Sequence, residues 1–224
     1  MGPLRLWCSL FSLVLTGLAL STGIGRADDR PGDFDYYVLA ISWSPTFCGQ
    51  RDNRRRNPQQ CDVGRRFSFV VHGLWPQYDR GWPDYCRTNN RYVPNSQIRE
   101  MLPIMPSKRL IIHEWRKHGT CSGLSQRQYF GATRELFGRF LVPARYVAPS
   151  RTILTTPDEL VNDIVKTNLW LKPAMISVQC GNARGRARLS EVRVCFSRDL
   201  KPVACGHNER RRCRARTLVM PPVR

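Results

Sequence analysis

Long hydrophobic runs are almost missing from this chain of 224 residues. A single stretch, at the N-terminus, is apolar enough to consider for a membrane, which excludes a polytopic membrane protein. No internal repeat, Ser/Gly linker or break in composition divides the rest, leaving one domain. No two cysteines stand in C-x-x-C spacing, so the usual paired-sulfur metal sites are out. No N-x-S/T acceptor occurs, so nothing hints at a glycosylated eukaryotic origin. Acids are scarce as well: 17 Asp and Glu stand against 36 Lys and Arg, a formal net charge of +19 with the histidines neutral. Hydrophobic residues at 42% and aromatics at 10% are too many for a disordered polybasic tail and enough to fill a core.

What is present at the N-terminus reads as a secretory leader. Arg5 supplies the positive start, residues 6–20 are apolar but short for a span, and Gly25-Arg26-Ala27 offers small residues at the cleavage positions. Cleavage is expected after Ala27, giving a leader of 1–27 and a mature domain of 28–224; an uncleaved anchor is the alternative. Cleavage removes one of the nine cysteines, Cys8, and leaves eight: 48, 61, 86, 121, 180, 195, 205 and 213. Losing Arg5 and Arg26 and no acid takes the charge from +19 to +17. An even cysteine count in an exported chain indicates a disulfide framework and argues against an intracellular housekeeping enzyme. The pairing stays open, because eight cysteines allow roughly a hundred connectivities.

Periodicity predicts a buried strand over 34–43, ended by Pro45, and a second over 67–72, stopped by Gly73 and Pro76. Residues 50–60 are expected to form a basic loop, and 77–95 another loop. Helices are expected over 107–118, with Gly119 as the stop, over 126–140, and from Pro157 to about 167. Late strands are expected over 175–178 and 189–196. Irregular alternation of strands and helices favours α+β over a doubly wound parallel sheet.

Proton transfer near neutrality calls for histidine, and the mature chain has four. Three lie in two dense clusters, Val70-Val71-His72-Gly73-Leu74-Trp75-Pro76-Gln77 and Ile112-His113-Glu114-Trp115-Arg116-Lys117-His118-Gly119-Thr120-Cys121. On a helix, Glu114 and His118 stand about 40° apart and Lys117 about 60° from Glu114. One wedge therefore carries a carboxylate, an ammonium and an imidazole, and His72 at a strand end can meet it across a cleft. Two histidines and a cation suit proton transfer to and from a phosphodiester. Taken singly, His72 also reads as a structural strand-end histidine, and Glu114 with His118 as a surface pair. His-Glu-x-x-x-His resembles a zinc signature, but its spacing puts His113 and His118 about 140° apart on an unbroken helix, so no metal is expected.

At these residues the chain resembles the ribonuclease T2 family of exported, base-tolerant endoribonucleases. Ile41-Ser42-Trp43-Ser44-Pro45, the strand into His72-Gly73-Leu74-Trp75-Pro76 and the segment from His113 to Cys121 are similar to the family's three signature segments, in order. The late Cys180, Cys195, Cys205 and Cys213 fit its C-terminal half, so the resemblance spans roughly residues 34 to 215. It implies an α+β fold, a central, mainly antiparallel sheet flanked by helices in one disulfide-bridged domain. It also implies a metal-independent reaction in which the RNA 2′-OH attacks the adjacent phosphorus, giving a 2′,3′-cyclic phosphate and then a 3′-phosphate.

By the same resemblance His118 is the general base and His72 the general acid. Glu114 and Lys117 stabilise the phosphorane, His113 binds phosphate and Trp75 serves the base site. The residues alone leave open which histidine is base and which acid. Gln77 stands where the family sometimes has an acid, and Trp82 or Tyr78 could stack on a base or simply pack. The implied disulfides are Cys48–Cys61, Cys86–Cys121, Cys180–Cys213 and Cys195–Cys205, and a mildly acidic optimum is implied too. No cofactor is expected. The partner is RNA, and the chain is expected to act as a monomer, secreted or periplasmic, with no membrane anchor after leader cleavage.

Basic runs at 54–56, 65–66, 184–188 and 210–216 are expected to face phosphates, with solvated surface charge or adhesion to an anionic envelope as the plainer readings. His207, in a late arginine-rich loop, is expected to be surface. A cationic binding or antimicrobial protein without turnover is the competing function; only an assay for cyclic-phosphate termini separates the two.

Overall fold

The computed structural model describes residues 30–183, 186–210 and 213–223. The expected leader and its cleavage point lie outside the described residues, as do Arg184, Arg211 and Arg212 of the basic runs. In chain order the elements begin with β1 (Tyr36–Trp43), three short helices α1 (Ser44–Cys48), α2 (Arg51–Arg56) and α3 (Pro58–Cys61), then β2 (Phe69–Gln77). Helices α4 (Asn95–Met101), α5 (Lys108–Lys117) and α6 (Gln126–Arg139) follow. The chain continues with β3 (Ile153–Thr155), α7 (Pro157–Thr167), β4 (Ile176–Ala183), β5 (Arg186–Ser197) and β6 (Leu218–Met220).

The sheet runs β2-β1-β5-β6-β3, with β4 on the other side of β5. Every pairing is antiparallel except the contact of Arg188 with Val219 between β5 and β6. This is the α+β, mainly antiparallel architecture expected. Strand β1 is apolar at every position but Ser42, because neighbours and packing cover both its faces. Tyr37, Leu39, Ile41 and Trp43 join the main core with Val192, Val194 and Phe196. Tyr36 and Val38 face the other way, into a small cluster with Cys195, Trp75, Val203 and Cys205. Among the described residues no helix is long and apolar enough to cross a membrane.

Helix α5 starts where Ser107 Oγ accepts the Leu110 N–H at 3.3 Å, a side-chain cap for an otherwise unpaired donor. It ends one residue before His118, which leads into a 3₁₀ turn at Gly119–Cys121. Any Cβ on Gly119 would strike the Trp115 ring. Reciprocal capping boxes open α6 (Ser125 with Gln128) and α7 (Thr156 with Glu159). All four implied disulfides are present, with Cα–Cα distances of 5.0–5.3 Å. Cys86–Cys121 ties the end of the α5 region to the loop after β2.

Several local expectations need correction. Residues 50–60 are helical, not a loop: Pro58 opens α3 with the φ a first turn needs, and Cys48–Cys61 closes α1 to α3 into a compact hairpin. Strand β2 does not stop at Gly73 and Pro76 but continues to Gln77. It is an edge strand, paired only with β1, and an edge tolerates a proline whose nitrogen is not needed by the ladder. Strands β4 (Ile176–Ala183) and β5 (Arg186–Ser197) run longer than 175–178 and 189–196, because the polar residues after 179 hide the alternation. Helix α4 and the three-residue strands β3 and β6 were not anticipated; each is too short to print a period.

Candidate active site

His72 owes its direction to an irregularity in β2. Ala40 pairs with Gly73 and Ile41 with Val71, so His72 is the extra residue of a β-bulge. Val71 donates its N–H instead to the Ile104 carbonyl at 2.8 Å. A bulge re-aims a side chain, and this one turns His72 toward the cleft. The next residue must be glycine, because a Cβ at Gly73 would overlap the Glu114 carboxylate and the Trp75 indole nitrogen. The expected strand stop is therefore a space-making residue that lets α5 approach β2.

A cavity of about 500 Å³ gathers His72, Trp75, His113, Glu114, Lys117 and His118, the six residues singled out from the sequence. Trp75 sits between the imidazoles, its ring 5.1 Å from His72 and 5.4 Å from His118 between centroids. Its Nε1–H donates to Glu114 Oε2 at 2.8 Å, and the other carboxylate oxygen lies 3.9 Å from His72 Nε2. Trp75 thus holds the Glu114 carboxylate as well as offering a ring to the cavity. His113 is exposed on the rim, its ring 6.4 Å from that of Tyr85. Lys117 is half-buried on the wall and makes no ion pair among the described residues.

The two central histidines have opposite surroundings. Burial alone would lower the His72 pKa, but the hydrogen bond and charge of Glu191, with the charge of Glu114, outweigh it and raise the value above 6.5. Among the described residues no carboxylate pairs with His118. Burial, then Lys117, His72 and His113, push its pKa down to about 2, and its Nδ1 is buried with no hydrogen-bond partner among the described residues. One ring is biased toward its charged form and the other toward its neutral form. Glu114, almost fully buried, is raised to about 7 by desolvation, against the pull of His72, Trp75 and Lys117. His113 is lowered by burial and then by the charges of Lys117, His72 and Arg109.

The sequence reading missed the support behind His72. Its Nδ1 hydrogen-bonds Glu191, which also accepts from Ser42 Oγ at 3.3 Å and from Arg193 Nε at 3.0 Å. Arg193 reaches on to Glu209 at 3.1 Å and lays its guanidinium over the Trp75 ring at 4.9 Å. Against its burial, His72 and Arg193 bring Glu191 down to about 2. One signal was there: Glu191 and Arg193, opposite charges at alternate positions of β5, share one face.

His207, expected at the surface, lies on the cavity wall. Its N–H donates to Asp79 Oδ1 at 3.0 Å, and neighbouring Asn208 clamps the loop after β2 by donating to Gln77, Tyr78 and Gly81. Gln77 and half-exposed Trp82 also line the cavity, whereas Tyr78 packs against the main core. Among the described residues no group of His, Cys, Asp or Glu is arranged to hold a metal ion.

Comparisons with known proteins bear on the family of the chain. The chain is 34% identical over 205 residues to a ribonuclease of Aeromonas hydrophila, covering 89% of this chain and 91% of that one. It is 32% identical over 182 residues to a probable ribonuclease of Haemophilus influenzae, covering 76% and 61%, and 29% identical over 163 residues to ribonuclease I of Escherichia coli, covering 55% and 60%. Among solved structures, the RNase-related protein of Calystegia sepium superposes with a TM-score of 0.66 at 23% identity, over 85% of this chain and 98% of that one. The model of the ribonuclease T2 family matches residues 34–205. The fold, the clustered histidines and these matches agree: the chain belongs to the ribonuclease T2 family and is an endoribonuclease.

Proposed function

We propose that this enzyme cuts single-stranded RNA by internal transphosphorylation with a histidine pair and no metal. The observation that carries the reading is the opposite protonation bias of His72 and His118 on one cavity. Neutral His118 takes the proton of the ribose 2′-OH as O2′ attacks phosphorus. As the P–O5′ bond breaks, charged His72 gives its proton to the departing O5′. This assigns the roles that residue types alone left open. Glu114 and Lys117 face the phosphorane, where carboxyl and ammonium groups offset the crowded charge. His113, at the rim, binds an adjacent phosphate, and Trp75 with Trp82 offers ring surface to a base. In the second step water replaces the 5′-hydroxyl, the histidines exchange roles, and the cyclic phosphate opens to a 3′-phosphate.

Glu191 is a positioning residue: it touches no reacting atom but fixes the His72 ring and holds its proton. Four disulfides support maturation in an oxidising compartment. We therefore place the mature chain, 28–224, in the periplasm or outside the cell as a monomer without a membrane anchor.

The test is cleavage of an oligonucleotide with a single ribonucleotide, in excess chelator. The expected product ends in a 2′,3′-cyclic phosphate at that nucleotide, and an all-deoxy strand stays intact. Loss of cleavage in chelator, or cutting of the all-deoxy strand, overturns the reading.

A further inference from the structure

Arginines from separate basic segments meet in one place. Arg54 of α2, Arg65 beyond α3, and Arg186 and Arg188 of β5 line a cavity of about 430 Å³ beside the Cys48–Cys61 hairpin. Asp62 is the one acid on its wall, and none of the four arginines makes an ion pair among the described residues. Arg188 is half-buried against Gly49, and its Nε is buried with no hydrogen-bond partner among the described residues. A buried guanidinium donor left unpaired costs stability, and an anion entering the cavity would relieve that cost.

The cavity is continuous in its lining with the active site. Between them lies a second cleft of about 440 Å³, walled by Asn53, Asn57, Gln60 and Arg109. It shares His72 and His113 with the catalytic cavity and Gln60 with the arginine cavity. His118 lines only the catalytic cavity, whereas His72 lines both that cavity and the cleft. The group that protonates O5′ therefore stands on the cleft side of the reacting phosphorus, and the strand leaving with O5′ heads toward the arginines.

We propose that the Arg54–Arg65–Arg186–Arg188 cavity binds backbone phosphates of the RNA strand on the 3′ side of the cut. The direction rests on the reading of His72 as proton donor to O5′. Such contacts are equal in ground and transition states, so they raise kcat/KM through KM and leave kcat alone.

The substrates that test this are short oligodeoxynucleotides carrying a single ribonucleotide, lengthened by deoxynucleotides on the 3′ side only or the 5′ side only. For the unaltered enzyme at low salt, kcat/KM should rise more with 3′ than with 5′ extension. Replacing the three exposed arginines together (Arg54→Gln, Arg65→Gln, Arg186→Gln) should erase the 3′ gain and leave the shortest substrate unchanged. Its log–log salt slope should fall by about 2, roughly 0.7 for each phosphate no longer neutralised. Arg188→Gln should move in the same direction. A control of equal charge change away from the cavity (Arg99→Gln, Arg127→Gln, Lys172→Gln) should keep the gain. Salt-dependent binding of an all-deoxy strand reads the same change of slope without turnover. The site is wrong if the triple variant keeps its 3′ gain, if the control loses as much, or if the 5′ gain disappears instead. It is also wrong if the triple variant keeps the gain but loses sedimentation with phosphatidylglycerol vesicles, for then the cavity serves an anionic membrane. Failure of the unaltered enzyme to cut even the shortest substrate would count against the transphosphorylation reading and leave the binding arm to decide this one.

Discussion

Residues one step apart on β1 and β5 end in opposite surroundings. Leu39 and Ile41, with Val192 and Val194, point into the main core and are fully buried. Ser42, Glu191 and Arg193 point the other way, where Glu191 meets His72 and Arg193 lies over Trp75. The core face needs only volume and apolarity, which many side chains supply. On the other face, beside the small apolar cluster of Tyr36, Val38 and Cys195, the charged groups have their charge set by their neighbours, so a change of one atom type moves the whole set. Stability and chemistry are thereby separated across the thickness of a single sheet.

Substitutions that cross this division should show it. The largest effect is expected at the imidazoles: His72→Ala and His118→Ala should each lower kcat by about 10²–10⁴ while the urea midpoint stays near that of the parent. On the core face, Leu39→Ala should cost about 2–5 kcal/mol in urea unfolding and leave kcat per folded molecule unchanged. Lys117→Met should lower kcat by about 10² in saturation kinetics, with little change in the salt slope of binding, because its charge serves the phosphorane. Glu191→Gln is the subtlest. Removing that charge leaves burial to lower the His72 pKa, so the alkaline limb of kcat/KM should move to lower pH. Each unit of that movement costs about tenfold in rate on the limb. A pH profile that only scales down, with its limb in place, would make Glu191 a packing residue.

Much of the site was legible before the fold because its chemistry is dense. His72 and Trp75 share one strand, and helical periodicity turns Glu114, Lys117 and His118 to one side, with His113 next to them in sequence. The core strand β1 was legible as a run apolar at all positions but Ser42. The rest depends on neighbours distant in sequence. The bulge at His72 exists only in register with β1, and Gly73 reads as a stop until Glu114 is seen filling the space beside it. Glu191 lies 119 residues from its partner. Helices α2 and α3 are too short to stand alone and need the closure that Cys48–Cys61 provides.

The division of labour between the two imidazoles can be read directly by following their ring resonances in a pH titration of the free enzyme. His72, its charged form favoured by Glu191 and Glu114, should titrate above 6.5. His118, buried beside Lys117, should stay neutral down to the pH at which the protein unfolds. Glu191→Gln should lower the first value and leave the second resonance unmoved. A His118 that titrates at or above the His72 value would exchange acid and base and contradict the mechanism.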